Sequence, residues 1–179
     1  MKKMFFVLIV LLLSTESYSQ QWVNKFNYSG NCVYEEAGFV MTDASANVYV
    51  VGSSATGSKY PITFDNDIQV YKYNSAGTLQ WSLTYSGTAG AKDTATSAVI
   101  DPSGNIYITG CTTKAGNDST QILILKINSS GQIVAQKILQ SGNGTNDMGN
   151  SIFVDSNGNY YVTGVLNSYI TLFKYNSAS

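Results

Sequence analysis

The feature that most constrains this chain is a ten-residue motif that occurs three times. Each copy begins with Asp, continues through Asn and Tyr, and ends with Gly; the copies are 43–52, 101–110 and 155–164. A second motif, Lys-x-Asn-Ser, alternates with the first and begins at Lys72, Lys126 and Lys174. Self-similarity at a period of roughly 50 residues is typical of propellers and other repeat arrays, in which one repeat alone cannot bury its apolar faces. The sequence therefore predicts a repeat fold.

The spacing between the motifs separates a constant part of each repeat from a variable part. Lys72 is as far from Asp101 as Lys126 is from Asp155, whereas the distance from each motif Gly to the next motif Lys shortens along the chain. Constant length indicates a packed unit, and changing length indicates a surface loop that tolerates insertion. We therefore expect surface loops in the variable segments, and we expect any specific ligand to use them: 53–71, 111–125 and 165–173.

Each repeat contains four segments with strand composition. Val, Ile, Tyr and Thr dominate them, and Gly, Asn, Ser and Asp dominate the gaps; in the second repeat the predicted strands are 97–101, 105–110, 122–127 and 133–139. Asp-Pro-Ser-Gly at 101–104 predicts a type I turn closed by a residue with positive φ. No helical periodicity occurs outside the N-terminus. The predicted fold is all-β: a β-propeller-type array of about three four-stranded blades, forming an incomplete propeller.

Several of these segments carry a family resemblance. Residues 81–87, 93–110 and 124–131 resemble the SBBP repeat, a bacterial β-propeller repeat, and Tyr-Pro-Ile-Thr-Phe at 60–64 resembles the same family. The resemblance implies four-stranded blades around a central channel, in secreted or surface proteins of bacteria. It implies no particular activity, because the family is defined by its scaffold.

The N-terminus predicts export. Lys2 and Lys3 precede ten apolar residues, 4–13, and Ser17 and Ser19 are small residues that suit cleavage after Ser19. This is the pattern of a secretory signal peptide, here 1–19, and its apolar core is shorter than the roughly 20 residues that span a bilayer. A core helix is the alternative interpretation. We expect a protein of the medium, cell surface or periplasm, with no integral membrane segment after cleavage.

Charge and composition exclude several function classes. Without residues 1–19 the chain keeps eight lysines and ten acidic residues, so it has no basic footprint for nucleic acid. It contains no Arg and no His. The missing His removes the commonest general base and metal ligand, and it excludes Ser-His-Asp and Cys-His nucleophile systems. No cofactor is expected.

Two cysteines remain, Cys32 and Cys111, in a compartment that permits disulfides. Cys111 begins a variable segment, and Cys32 lies in the segment that leads into the first repeat. The family topology would place both at the same end of the blades. A bridge between them and a pair of free thiols are the two interpretations, and the sequence favours the free thiols.

Three acidic residues recur at one position of the repeat. Glu35, Asp93 and Asp147 each lie eight positions ahead of a motif Asp, just before the first strand of the repeat. Three blades would then place three carboxylates around one mouth of the array. One interpretation is a rim that attracts cations or binds sugars; the favoured alternative is capping of a loop amide by each carboxylate.

The motif Asp itself resembles part of a calcium loop. Asp-x-Asn-Gly-Asn at 155–159 matches the first half of an EF-hand loop, which needs Glu at its twelfth position. The three repeats have Ser54, Thr112 and Leu166 there. A turn explains the Asp, Gly and Asn residues without a metal, and no metal site is predicted.

Aromatic residues form a second group of candidates. Tyr49, Tyr107 and Tyr161 share one strand position, where packing between repeats is favoured over sugar stacking. Tyr60, Phe64 and Tyr169 lie in or beside the variable segments and are the better candidates for ligand contact.

The sequence predicts a secreted binding or interaction scaffold for a protein or glycan ligand. The alternative is an extracellular propeller-type enzyme, a carbohydrate-active lyase or hydrolase that uses the rim carboxylates. Repeats are expected at about 29–85, 86–139 and 140–179, and 22–28 resembles a spare outer strand that the last repeat lacks. Known propellers have four to eight blades. We therefore expect further repeats after Ser179, or self-association of several copies.

Overall fold

The structure, a computed structural model, describes residues 21–25, 32–58, 63–87, 92–113, 119–142 and 146–178. These residues form antiparallel strands in three sheets and contain no helix. We call the sheets blade 1, blade 2 and blade 3. Blade 1 contains β1 (Cys32–Thr42), β2 (Val48–Ser58), β3 (Thr63–Tyr73) and β4 (Leu79–Tyr85); blade 2 contains β5 (Thr94–Ile100), β6 (Ile106–Thr113), β7 (Thr120–Ile127) and β8 (Ile133–Leu139); blade 3 contains β9 (Met148–Val154), β10 (Tyr160–Leu166) and β11 (Tyr169–Tyr175).

Every blade is a meander in which strands pair in chain order. Two blades have four strands, and blade 3 has three. The first strands converge, since β5 lies against both β1 and β9. In the described part of the chain, the three sheets do not close on themselves. The prediction of an all-β array of propeller-type blades is confirmed, and the open sheets are consistent with the predicted incomplete propeller.

The turns that close the hairpins have the backbone conformation that their composition predicts. Gly104 and Gly158 end the Asp-initiated turns with φ of 79° and 78°, and Gly77 and Gly131 end the Asn-initiated turns with φ of 79° and 81°. Blade 1 departs from this pattern, because Ala46 takes the place of glycine with φ of 58°. The left-handed conformation costs an L-residue about 1–2 kcal/mol. Blade 1 therefore has the same turn geometry as the other blades although its turn contains alanine instead of glycine.

Apolar faces of adjacent blades form the core. The face of blade 1 that contains Val51 and Val70 packs on the face of blade 2 that contains Ile108 and Leu125, and all four side chains are fully buried. The opposite face of blade 2 packs on blade 3 in the same way, through residues such as Tyr107, Ile122, Ile124, Ile152, Tyr160 and Val162. Strands of blade 2 are therefore apolar on both faces, as a sheet between two sheets requires.

The variable segments differ from the expectation of surface loops. In blade 1 the β2–β3 ladder continues from Val48 opposite Tyr73 to Ser58 opposite Thr63, so most of 53–71 is a long β-hairpin. In blade 3 the ladder ends at Leu166 opposite Tyr169, and 165–173 is hairpin except for the two residues between these strands. Repeats therefore change length by adding paired residues to both hairpin arms, which keeps the backbone hydrogen bonds satisfied.

The predicted signal peptide, 1–19, lies outside the described residues. Of the predicted spare strand, 22–28, only 22–25 is described, and these residues form no strand. This segment contacts the β3–β4 turn of blade 1, where the Trp22 ring lies over Gly77 and the Asn24 amide donates a 2.7 Å hydrogen bond to the Gly77 carbonyl. No helix among the described ranges is long and apolar enough to cross a membrane.

Candidate functional site

The motif Asp is a hydrogen-bond acceptor at the centre of its own turn. In blade 2, Asp101 Oδ1 accepts bonds of 2.9 Å from the amides of Ser103 and Asn105. Its Oδ2 accepts from Asn105 Nδ2 at 2.7 Å and from the Tyr107 hydroxyl at 3.2 Å. Equivalent bonds surround the motif Asp of the other two blades. The geometry supports the turn interpretation of this motif over a calcium loop.

These bonds change the acidity of the turn carboxylates. Burial alone would raise the pKa of Asp43, but hydrogen bonds from Asn47, Tyr49 and Ser45 outweigh it and hold that pKa below its ordinary value. The Asn159 side chain, with neighbouring amides, likewise lowers the pKa of Asp155. Both groups are therefore carboxylates at neutral pH and accept hydrogen bonds fully.

The motif Tyr and the motif Lys form a second repeated arrangement. Tyr49 and Tyr107 are buried between blades, as the packing interpretation predicts, and Tyr161 is half-buried on the outer face of blade 3. A lysine ammonium lies over each of the three rings, 5.1 to 5.3 Å from its centroid. Cation–π contact at this distance holds the lysine in place at each blade.

Two of these lysines reach across to the next blade. Lys72 Nζ donates to the carbonyl oxygen of Ser129 at 3.3 Å, and Trp81 Nε1 donates to the same oxygen at 3.1 Å. Lys126 Nζ donates to the carbonyl oxygen of Ser177 at 2.7 Å. In both cases the acceptor lies in the Asn-Ser turn of the following blade. We call this arrangement the lysine contact.

The three acids predicted at the rim are placed differently from one another. Asp93 and Asp147 are fully buried, whereas Glu35 is exposed on β1. Asp93 accepts a 2.7 Å bond from the Gly87 amide, and Asp147 accepts bonds of 2.8 Å from the Ser141 and Asn167 amides. Both buried acids therefore cap loop amides where the chain passes from one blade to the next. The structure does not bring the three carboxylates together at an exposed mouth.

The predicted aromatic candidates are only partly described. Tyr60 lies outside the described residues, and Phe64 belongs to β3 but its side chain lies outside them as well. Tyr169 is 71% exposed at the start of β11. Because side chains alternate along a strand, it lies on the face of β11 opposite to its exposed neighbours Ile170 and Leu172.

Both cysteines lie in strands rather than in loops, Cys32 at the start of β1 and Cys111 in β6. Cys111 is a free thiol, and the side chain of Cys32 lies outside the described residues. Burial, with the carboxylate of Asp93 nearby, raises the pKa of the Cys111 thiol. A thiol in such surroundings is a poor nucleophile, because the thiolate is the reactive form.

A cavity of about 590 Å³ lies on the outer face of blade 1, which is the face turned away from blade 2. Its lining combines aromatic rings, amides and carboxylates: Trp22, Glu35, Glu36, Gln69, Tyr71 and Tyr73, among others. Cavities of this size and composition are common ligand sites. Of the predicted site residues whose side chains the structure describes, only Glu35 belongs to it.

The other residues of this cavity were not among the site residues predicted from the sequence. Gln69, Tyr71 and Tyr73 alternate along β3 with Ile68, Val70 and Lys72, which face blade 2. The assignment of these residues to two opposite faces could be predicted, because successive residues of a strand alternate between the faces of the sheet. The sequence could not show which of the two faces has no blade packed against it.

Among the described residues, no group of three His, Cys, Asp or Glu side chains could hold a metal ion. The comparisons with known proteins agree with the blade architecture. A family model, SBBP, described as a beta-propeller repeat, matches residues 80–115. The matched range includes β5 and β6 and all of β4 except its first residue. A search of curated proteins gives no match to this sequence.

Proposed function

We propose that this protein is an exported interaction scaffold that binds protein partners, and the beta-propeller repeat matched at residues 80–115 supports the scaffold part of this proposal. The binding surface in this proposal is the outer face of blade 1, with the cavity at its centre. One observation carries the proposal: this face combines aromatic and apolar side chains around a cavity, and no blade packs on it among the described residues.

The exposure of equivalent residues supports this choice of surface. Val40 on β1 is 72% exposed, whereas its counterpart in blade 3, Ile152, is 3% exposed because blade 2 covers it. Both residues lie three positions before the motif Asp of their repeat. Exposed apolar surface beside aromatic rings and polar groups is typical of protein interaction sites.

The enzymatic alternative receives less support. A retaining or inverting glycosidase needs two carboxyl groups that flank one bond of the substrate. Asp93 and Asp147 are buried and hydrogen-bonded to loop amides, so neither faces the cavity. Glu35 and Glu36 both line the cavity, but they are consecutive residues of one strand and therefore lie beside each other rather than across the cavity from each other.

Site-specific photo-crosslinking in the cells that export the protein tests this function. Tyr71, which lines the cavity, is replaced by p-benzoylphenylalanine, whose benzophenone group extends from this position into the cavity. We expect irradiation to produce a covalent adduct with a protein. The matched control places the same amino acid at Val134, which is 54% exposed on the outer strand of blade 2.

Adducts from Tyr71→p-benzoylphenylalanine but not from Val134→p-benzoylphenylalanine support the proposal. Absence of any protein adduct from the Tyr71 position contradicts it, as does equal labelling from both positions. A glycan array run in parallel gives the other informative result: binding that Tyr71→Ala removes identifies a sugar as the ligand and overturns the choice of a protein partner.

A further inference from the structure

The outer face of blade 3 repeats the face that joins blade 1 to blade 2 and blade 2 to blade 3. Counting back from the motif Lys of each repeat, Ile68, Ile122 and Ile170 are equivalent, as are Val70, Ile124 and Leu172. The first two members of each set are at most 2% exposed, whereas Ile170 is 95% exposed and Leu172 is 66% exposed. Blade 3 therefore has the apolar residues of an interface on a face that the described residues leave uncovered.

The donor side of the lysine contact is present on the same face of blade 3. Lys174 Nζ lies over the Tyr161 ring at 5.3 Å, as Lys126 lies over Tyr107. The Tyr161 hydroxyl donates to Asp155 Oδ2 at 3.2 Å, which matches the bond from Tyr107 to Asp101. Within the described part of the chain, no Asn-Ser turn of a following blade accepts a bond from Lys174.

Blade 1 has the matching acceptor. Its Asn-Ser turn places Ser75 at the position of Ser129 and Ser177, the two carbonyls that accept from a lysine of the preceding blade. The Trp22 ring lies on Gly77 of this turn, as the Trp81 ring lies on Gly131. Trp22 and Ser75 therefore correspond to Trp81 and Ser129. Compared with the Lys72–Trp81–Ser129 arrangement, the turn of blade 1 lacks only the lysine.

We propose that two copies of this chain associate head to tail, with the outer face of blade 3 of one copy packed on the outer face of blade 1 of the other. Lys174 of one copy donates to the Ser75 carbonyl of its partner, next to the partner's own Trp22. Ile170 and Leu172 cover Val40 and the cavity beside it. This inference rests on the proposed function, because it identifies the partner protein as a second copy.

The head-to-tail arrangement has a defined stoichiometry. A contact between two different surfaces either closes into a ring or continues as a filament. Two copies together supply six blades, which lies within the four to eight blades of known propellers. We therefore expect a closed dimer in which each Lys174 and each Ser75 is used once.

Analytical ultracentrifugation of the protein purified after export of the full chain tests this proposal. We expect the wild-type protein to sediment as a dimer. Lys174→Glu removes the donor and should weaken the dimer at least about tenfold, since a hydrogen bond from a charged group is lost. Lys92→Glu makes the same charge change at an exposed lysine away from this face and should leave the dimer intact.

A charge-reversal rescue separates the contact from a folding defect. Ser75→Lys places a positive charge beside the acceptor carbonyl and should weaken the dimer by repulsion of Lys174. Combining Ser75→Lys with Lys174→Glu should restore association, which a general loss of stability would not do. Leu172→Ser, at an exposed position, should also weaken the dimer.

A monomeric wild-type protein overturns the inference, and so does a dimer that neither Lys174→Glu nor Leu172→Ser weakens. Failure of the inference and failure of the proposed function give different results. If Tyr71→p-benzoylphenylalanine crosslinks to another protein while the chain sediments as a monomer, the scaffold function stands and the self-association does not.

Discussion

The ammonium of Lys126 and the carbonyl oxygen of Ser177 are joined by a 2.7 Å hydrogen bond that crosses from blade 2 to blade 3. The donor is a charged group, and the acceptor belongs to a turn whose backbone is fixed by the Asn-Ser sequence. Because the two residues come from different repeats, this bond sets the position of one blade relative to the next. Hydrogen bonds from Thr96 Oγ1 to the Gly149 carbonyl and from the Ile152 amide to Ser97 Oγ also join these two blades.

Removing this donor should destabilise the array. Lys126→Met keeps the aliphatic stem but loses the hydrogen bond and the cation–π contact with Tyr107. We expect the free energy of unfolding to fall by about 1–2 kcal/mol, measured by urea denaturation. Lys174→Met is the matched control, because Lys174 makes the same ring contact without a following turn. If the free energy of unfolding falls by the same amount in both variants at low protein concentration, the hydrogen bond to Ser177 does not account for the stabilisation.

The motif Gly should not tolerate a side chain. A Cβ at Gly110 would collide with the backbone carbonyl of Thr94 on the neighbouring strand, where the β5–β6 pairing is irregular. Because backbone cannot move aside as a flexible side chain can, we expect Gly110→Ala to lower the free energy of unfolding by about 3 kcal/mol. Gly142→Ala has open space around its Cβ and should change stability by less than about 0.5 kcal/mol. Thermal unfolding followed by circular dichroism compares the two, and a tolerated Gly110→Ala would contradict this account.

Ala46 offers a stabilising substitution. It holds φ of 58° where the equivalent turns have glycine, so Ala46→Gly relieves the left-handed strain. After the larger entropy loss of glycine is subtracted, we expect a gain of about 0.5–1 kcal/mol in the free energy of unfolding. Ala44→Gly in the same turn is the control: φ at Ala44 is not positive, so glycine should bring no gain there. Equal effects of the two substitutions would show that strain at Ala46 is not the cause.

Acid should weaken the turns through Asp43 and Asp155. Their pKa values in the folded protein lie below the ordinary value of 3.8. The unfolded chain therefore takes up protons first as the pH falls, so this stabilisation is complete above about pH 4 and is lost as the pH falls through the folded pKa values. Urea denaturation at a series of pH values should show the free energy of unfolding decreasing below that point.

The double variant Asp43→Asn, Asp155→Asn isolates this effect. It should be less stable than the wild type at pH 7, because each amide replaces an acceptor oxygen by a donor nitrogen. Its stability should also change less with pH below about 4, since these two groups no longer titrate. Parallel acid profiles for the wild type and the double variant would refute the assignment to these carboxylates.

Much of the local structure could be predicted from the residues alone. The strands of the second repeat lie within a few residues of their predicted positions, and Gly104 and Gly131 have the positive φ that their turns require. The predicted turn role of the motif Asp agrees with its hydrogen bonds to Ser103 and Asn105. These features depend on residues within one hairpin, so the local sequence contains their causes.

Only the tertiary structure decides whether a residue at a given position of the repeat is buried or exposed. Ile68 and Ile170 occupy equivalent positions with the same side chain, yet one is fully buried and the other is 95% exposed. Asp93 and Glu35 are likewise equivalent, but Asp93 is buried and caps a loop amide, whereas Glu35 is exposed and lines a cavity. Burial depends on whether another blade packs on the face, and that neighbour is a separate repeat, distant in sequence. The amino-acid sequence by itself therefore determined the repeats, their strands and their turns, and only the packing of blades determined which copies of a residue form the core and which form a surface.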